Sequence, residues 1–129
     1  MKRILVCGSS TIDFAALVEA ALDDEFRASP AGICVLHSGA CGVAAAANAW
    51  AWGARAMGRG VTVKTFLRTP GEYRDRDYQS NNVRMFRDGK PSLVLALPGG
   101  SERDHVVAVA TMRGVPVVEV GEMAVGARR

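Results

Sequence analysis

Apolar residues are distributed along the chain in two rhythms. Five short stretches are continuous: Ile4-Leu5-Val6-Cys7, Ile33-Cys34-Val35-Leu36, Val61 to Phe66, Ser92 to Leu97 and Val115 to Val120. Their length and β-branched content predict strands, and continuous rather than alternating runs predict a sheet covered on both faces. Between them the spacing turns helical. Phe14, Leu17, Val18, Ala21 and Leu22 make one stripe and predict a helix from Thr11 to about Asp24, with Ser10 or Thr11 as its cap and Asp13 in the first turn. An Ala-rich helix is predicted from Val43 to about Met57, weakened by about 1 kcal/mol at Gly53 relative to Ala. A short helix from Ser80 to Arg87 stops at Asp88-Gly89, and another runs from about Glu102 to Arg113. Leu67 to Tyr78 is charged and irregular.

Strand alternating with helix implies parallel βαβ crossovers. The expected fold is α/β: a doubly wound, mostly parallel five-stranded sheet with helices on both faces, Rossmann-like. Residues 1–121 are expected to form one domain and 122–129 a short tail. The 129-residue length suits a single core. No apolar run approaches the roughly 20 residues of a membrane span, and the run after Met1-Lys2-Arg3 is too short for a signal-peptide core. A cytoplasmic protein without membrane contact is the expectation. Cys7, Cys34 and Cys41 are odd in number and lack a C-x-x-C pair, which favours free, buried thiols over a disulfide framework or zinc site. The net charge of +3 is small and dispersed, so nucleic acid is disfavoured as a partner.

In such sheets ligands bind beyond the carboxyl ends of the strands. Three glycine-bearing turns fall there: Gly8-Ser9-Ser10, Gly39 with Gly42, and Pro98-Gly99-Gly100. Glycine lets backbone approach a ligand closely, and the helix that follows offers free N–H groups to an anion. None is a Walker A loop, and the first lacks the second and third glycines of G-x-G-x-x-G. Ser9 and Ser10 offer hydroxyls to a phosphate or to a helix cap. His37 sits at a strand end, as a ligand contact or a satisfied structural histidine. Arg68, Arg74, Arg76 and Arg84 form either a phosphate clamp or a solvated face paired with Glu72, Asp75 and Asp77. Trp50 and Trp52 point about 200° apart on an ideal helix, so both cannot enter one core face; one is placed at a partly exposed surface or a subunit interface.

Taken in order, several motifs resemble the YspA-like (YpsA-related) branch of the SLOG superfamily, relatives of the DprA and LOG proteins. They are Gly8-Ser9, His37-Ser38-Gly39-Ala40-Cys41-Gly42, Trp50-Ala51, Asn82-x-x-Met85, Gly89-Lys90-Pro91-x-Leu93-Val94-Leu95-Ala96, Pro98-Gly99-Gly100 and Gly114-Val115-Pro116-Val117. The resemblance runs from residue 1 to about residue 120. It implies a Rossmann-like crevice for nucleotides or ADP-ribose-type ligands, and in the LOG relatives a phosphoribohydrolase activity. The sequence departs from the pattern at polar positions. Ser10 stands for an Arg, Gly42-Val43-Ala44 for Gly-Ala-Asp, Asn81-Asn82 for Arg-Asn, Glu102-Arg103 for Gly-Thr, and Val106 for the LOG glutamate.

The expected function is therefore a binding module for a nucleotide-derived small molecule with no cofactor or metal. Its expected contacts are Gly8, Ser9, Ser10, Gly39, Gly42, Asn82, Pro98, Gly99, Gly100 and Arg103, with Tyr73 or Tyr78 stacking on a base. One alternative is a nucleotide N-glycosidase using Glu102 or Asp104 as its carboxylate. The other is a decayed site that acts through a homodimer or higher homo-oligomer.

Overall fold

The computed structural model describes residues 1–67 and 77–121. Among them are five strands and four helices in strict alternation: β1 Lys2–Cys7, α1 Ala15–Arg27, β2 Ile33–His37, α2 Val43–Ala56, β3 Val61–Thr65, α3 Asp77–Gly89, β4 Leu93–Ala96, α4 Ser101–Met112 and β5 Val117–Glu119. The strands form one all-parallel sheet in the order β3-β2-β1-β4-β5. This is the expected doubly wound α/β architecture, and the strand order reverses between β1 and β4.

Alternation along each strand divides the core in two. Ile4 and Val6 of β1 point to one face, where Val18 and Leu22 of α1 and Ala47 and Ala51 of α2 cover them. Leu5 and Cys7 point to the other, beneath Met85 and Phe86 of α3 and Val106, Val109 and Ala110 of α4. The central strands are buried on both sides, which is why they read as unbroken apolar runs. β3 differs: as an edge strand it buries Val61 but exposes Thr62 and Lys64. Its sequence Val61-Thr62-Val63-Lys64-Thr65 alternates accordingly.

Two helices start elsewhere than periodicity predicts. α1 begins at Ala15, not Thr11, because the Ser9 hydroxyl accepts the Thr11 and Ile12 N–H groups at 3.1 and 3.0 Å. That local turn satisfies amides which a helix would otherwise leave free. Phe14 then takes a left-handed conformation with φ 46, and no side chain caps the helix. Asp13 accepts the Ala15 N–H at 3.2 Å. α3 begins at Asp77, ahead of the expected Ser80.

The tryptophans separate as their angular positions require. Trp50 packs against the α1/α2 core and donates its ring N–H to Asp23 Oδ1 at 2.9 Å, edge-on to Phe26 at 6.4 Å. Trp52 is exposed.

Two turn glycines are dictated by contact. Gly42 has φ +70, and a Cβ there would lie 2.2 Å from the Ser9 carbonyl oxygen; a Cβ on Gly99 would lie 2.6 Å from the Gly8 carbonyl carbon. Gly42→Ala therefore combines backbone strain with a collision that only backbone movement relieves. It is expected to lower the unfolding free energy by about 2–4 kcal/mol, read as the shift of a urea-denaturation midpoint at unchanged slope.

Candidate functional site

The three glycine turns meet at Ser9. Its N–H donates to the Pro98 carbonyl at 2.8 Å, and its own carbonyl accepts the Val43 N–H at 2.9 Å. Its hydroxyl holds the Thr11 and Ile12 amides and lies 3.1 Å from the Thr11 hydroxyl. The β1, β2 and β4 turns are thus fastened through one residue. The Ser9–Pro98 bond continues the pairing begun by Leu97 N–H on the Cys7 carbonyl, so the switch point between β1 and β4 is stitched shut. A ligand here lies across the strand ends rather than between them.

The first turns of two helices open at this edge. In α2, the Val43 amide is taken by Ser9 and the Ala46 amide by the Gly42 carbonyl. The Ala44 and Ala45 amides between them are among the donors that a helix start leaves over. In α4, Asp104 N–H closes the first turn on the Gly100 carbonyl, and the Ser101 and Arg103 amides lie in the same first turn. Gly100 is exposed, and a Cβ on it would meet nothing within 4 Å. Ser10, Gly39, Pro98 and Gly99 are exposed on the same rim.

Beside the fastened turns, at the ends of β2 and β3, lies a hollow of about 250 Å³ lined by His37, Gly39, Ala40, Ala45, Asn48, Thr65 and Leu67. His37 is its polar floor and is only 3% exposed. Its Nδ1 accepts the Gly39 N–H at 3.0 Å, so the proton sits on Nε2, which is 3.0 Å from Asn48 Oδ1 and 3.2 Å from the Thr65 hydroxyl. Burial pushes the imidazole below its ordinary value, against the opposing effect of the Asn48 bond. Among the described residues the hollow's lining is accordingly neutral, with an amide and a hydroxyl as its hydrogen-bonding groups.

Other candidate residues serve the fold. Asn82 is fully buried between α3 and α4. Its amide donates to the Glu102 carbonyl at 3.3 Å and to His105 Nδ1 at 3.1 Å, while its Oδ1 is buried without a partner among the described residues. It does not line the hollow. Arg103 donates to the Leu97 carbonyl at 3.2 Å, to Asp104 at 3.3 Å and to Glu119 at 3.1 Å, with its side chain 17% exposed. That guanidinium is a brace between β4, α4 and β5, not a free cation. Arg84 is bound to the Leu67 carbonyl and Asn81. Arg68, Tyr73, Arg74 and Arg76 lie outside the described residues, with Glu72 and Asp75; Tyr78 stacks edge-on against His105 at 5.9 Å.

The carboxylates proposed for an N-glycosidase do not converge on the hollow. Asp104 is exposed and paired with Arg103, and Glu102 is absent from the hollow's lining. Val106 is 1% exposed in the core. The cysteines divide: Cys7 is buried, Cys34 intermediate and Cys41 exposed. Burial pushes the Cys7 thiol up to about 12, opposed by the Arg103 charge, so this thiol beneath the turns is unreactive at neutral pH. Among the described residues no group of three His, Cys, Asp or Glu side chains is placed to hold a metal ion, and no helix is long and apolar enough to cross a membrane.

A larger open cleft, about 600 Å³, lies on the flank between the starts of α1 and α2 and shares Gly42 with the candidate residues. Asp13 and Glu19 are on its wall, and like charge disfavours a phosphate there.

His37 gives the protein an acid-sensitive element. The unfolded chain takes up a proton near pH 6.5, while the folded chain resists it, so proton uptake favours unfolding. The stability that His37 contributes is complete above about pH 6.5 and is lost as pH falls through the depressed folded value. Thermal melts should show a declining Tm between about pH 6.5 and 5, ahead of carboxylate titration. His37→Gln should flatten that decline.

No family model matches the chain. It is similar to the Gene 61 protein of Mycobacterium phage D29, at 34% identity over 124 residues covering 95% of this chain and 98% of the phage protein.

Proposed function

The chain belongs to the family of the Gene 61 protein of Mycobacterium phage D29, and we propose that it is a binding module for a nucleotide or nucleotide-derived, ADP-ribose-like ligand. One observation carries the reading: the Ser9 fastening gathers the first turns of α2 and α4 on a single sheet edge beside a neutral polar hollow. The ends of β2 and β4 are two strand spacings apart, roughly 10 Å. That span suits a ligand with a base or sugar at one end and a phosphate at the other. The sugar or base sits in the His37 hollow, contacted by Asn48 and Thr65. Phosphate lies over Ser10 toward Gly99 and Gly100, where amides and the helix dipole favour negative charge.

The resemblance to SLOG proteins supports the same ligand class. The placement of Glu102, Asp104 and Val106 favours binding over a LOG-type hydrolysis, since no carboxylate among the described residues lines the hollow.

Gly100→Asp tests the reading without disturbing the fold, because a side chain there has open space. Calorimetric titration with AMP, ADP-ribose and ribose 5-phosphate should give saturable binding by at least one of them. Gly100→Asp should weaken it tenfold or more, a loss of at least about 1.4 kcal/mol, with Tm unchanged. A bound ligand at about 100 times its Kd should add about 2.7 kcal/mol of stability. No heat and no thermal shift with any of the three would refute the binding reading; release of free base from AMP would replace it with the hydrolase.

A further inference from the structure

The buried imidazole fixes which way each hydrogen bond in the His37 hollow runs. A backbone N–H can only donate, so the Gly39 amide, 3.0 Å from Nδ1, leaves the ring proton on Nε2. That proton meets two acceptors, Asn48 Oδ1 at 3.0 Å and the Thr65 hydroxyl oxygen at 3.2 Å. The Asn48 amide is thereby oriented: its oxygen turns to the ring, and its amino group does not. Thr65 cannot donate to a nitrogen that already carries a proton, so its own hydrogen is left over. Among the described residues neither the Asn48 amino group nor the Thr65 hydroxyl hydrogen has an acceptor. Gly39, Ala40, Ala45 and Leu67 complete the lining and bring no side-chain acceptor. The oxygens of the hollow are thus supplied by His37, and what stands unmet in it is a pair of donors on two elements, Asn48 on α2 and Thr65 on β3.

We propose, building on the nucleotide-binding reading above, that the hollow takes the O6/N7 edge of a 6-oxopurine, so that the protein prefers 6-oxopurine nucleotides to adenine nucleotides. That edge carries two adjacent acceptors and no donor, one for Asn48 and one for Thr65. Adenine sets its N6 amino group beside N7, and this donor would face a donor. Asparagine ordinarily pairs with adenine through both ends of its amide, but here the oxygen end is engaged by His37. A lone carbonyl, such as O4 of a pyrimidine, satisfies only one of the two groups. A donor left unmet when the base excludes water costs more than a made bond gains, which is what turns this pattern into a preference.

His37 is in this scheme a positioning residue. It is 3% exposed and acts through the two groups it orients. The chain of donation from the Gly39 amide through the ring to Asn48 and Thr65 has one direction, and the backbone sets it.

Calorimetric titration of the whole chain with the 5′-monophosphates of inosine, guanosine and adenosine tests this, because the three share one ribose phosphate. The inosine and guanosine nucleotides should bind alike, and about tenfold or more tightly than AMP, the scale of one good base-edge pair. Asn48→Asp keeps an oxygen for His37 and replaces the amino group by a second acceptor, so the inosine-to-adenosine preference should collapse or invert. Thr65→Val, at an exposed position of the edge strand, removes the other donor and should shrink the same preference. The ratio is the readout because partial unfolding or added charge weakens both nucleotides together. Long-range nitrogen–proton NMR should place the His37 proton on Nε2 at neutral pH. Equal binding of the three nucleotides, a preference for AMP, a proton on Nδ1, or a preference unchanged in Asn48→Asp would each overturn the proposal and leave the binding reading in place. No binding of these nucleotides or of ribose 5-phosphate would overturn both.

Discussion

The carboxyl edge of the sheet depends on the hydrogen bonds of one residue. Ser9 uses its N–H, carbonyl and hydroxyl in three directions, toward the β4 turn, the start of α2 and the loop before α1. The β1, β2 and β4 turns are therefore held at backbone contact distance, and the glycines follow from that distance. At positions 42 and 99 any Cβ would overlap the backbone of residues 8–10. The same bonds fix where the amides of α2 and α4 open. A loop that spent none of its polar groups internally would leave those helix starts free to drift, and an anion would meet no prearranged set of donors. The cost is that the switch point itself is closed, so recognition must take place over the edge.

Periodicity makes most of the fold legible. Central strands β1, β2 and β4 are unbroken apolar runs because helices cover both of their faces, and α2 and α4 follow their stripes closely. The start of α1 is not legible, since a serine hydroxyl competes there for the amides that the apolar stripe alone assigns to a helix. The polar site residues are harder still. Gly8, Gly39, Gly42, Gly99 and Gly100 are found by their turn positions, which are local. What Ser9, Asn82 and Arg103 do depends on partners far away in the chain: Ser9 on Pro98, Asn82 on Glu102 and His105, Arg103 on Glu119. No window of sequence contains those pairs. His37 shows the same thing from the other side, a strand-end histidine kept neutral by burial among elements far apart in the chain, with Asn48 and Thr65 at its Nε2.

Charge is sorted between the two recessed surfaces. Among the described residues no carboxylate lines the His37 hollow, and Asp104 and Glu119 near the β4 turn are both engaged by Arg103. Acids gather instead at the α1/α2 flank, where Asp13 and Glu19 border an alanine-floored cleft. A phosphate-bearing molecule is attracted to the first surface and repelled from the second. The size of the clefts alone would rank them the other way, and the electrostatics decide against size.

α2 belongs to both surfaces. Its first-turn amides face the carboxyl edge, while its outer stripe faces the flank. Ala45 is where the two roles meet, because it lines the hollow, floors the cleft and offers its amide at the helix start. A residue larger than alanine there would intrude on both surfaces at once.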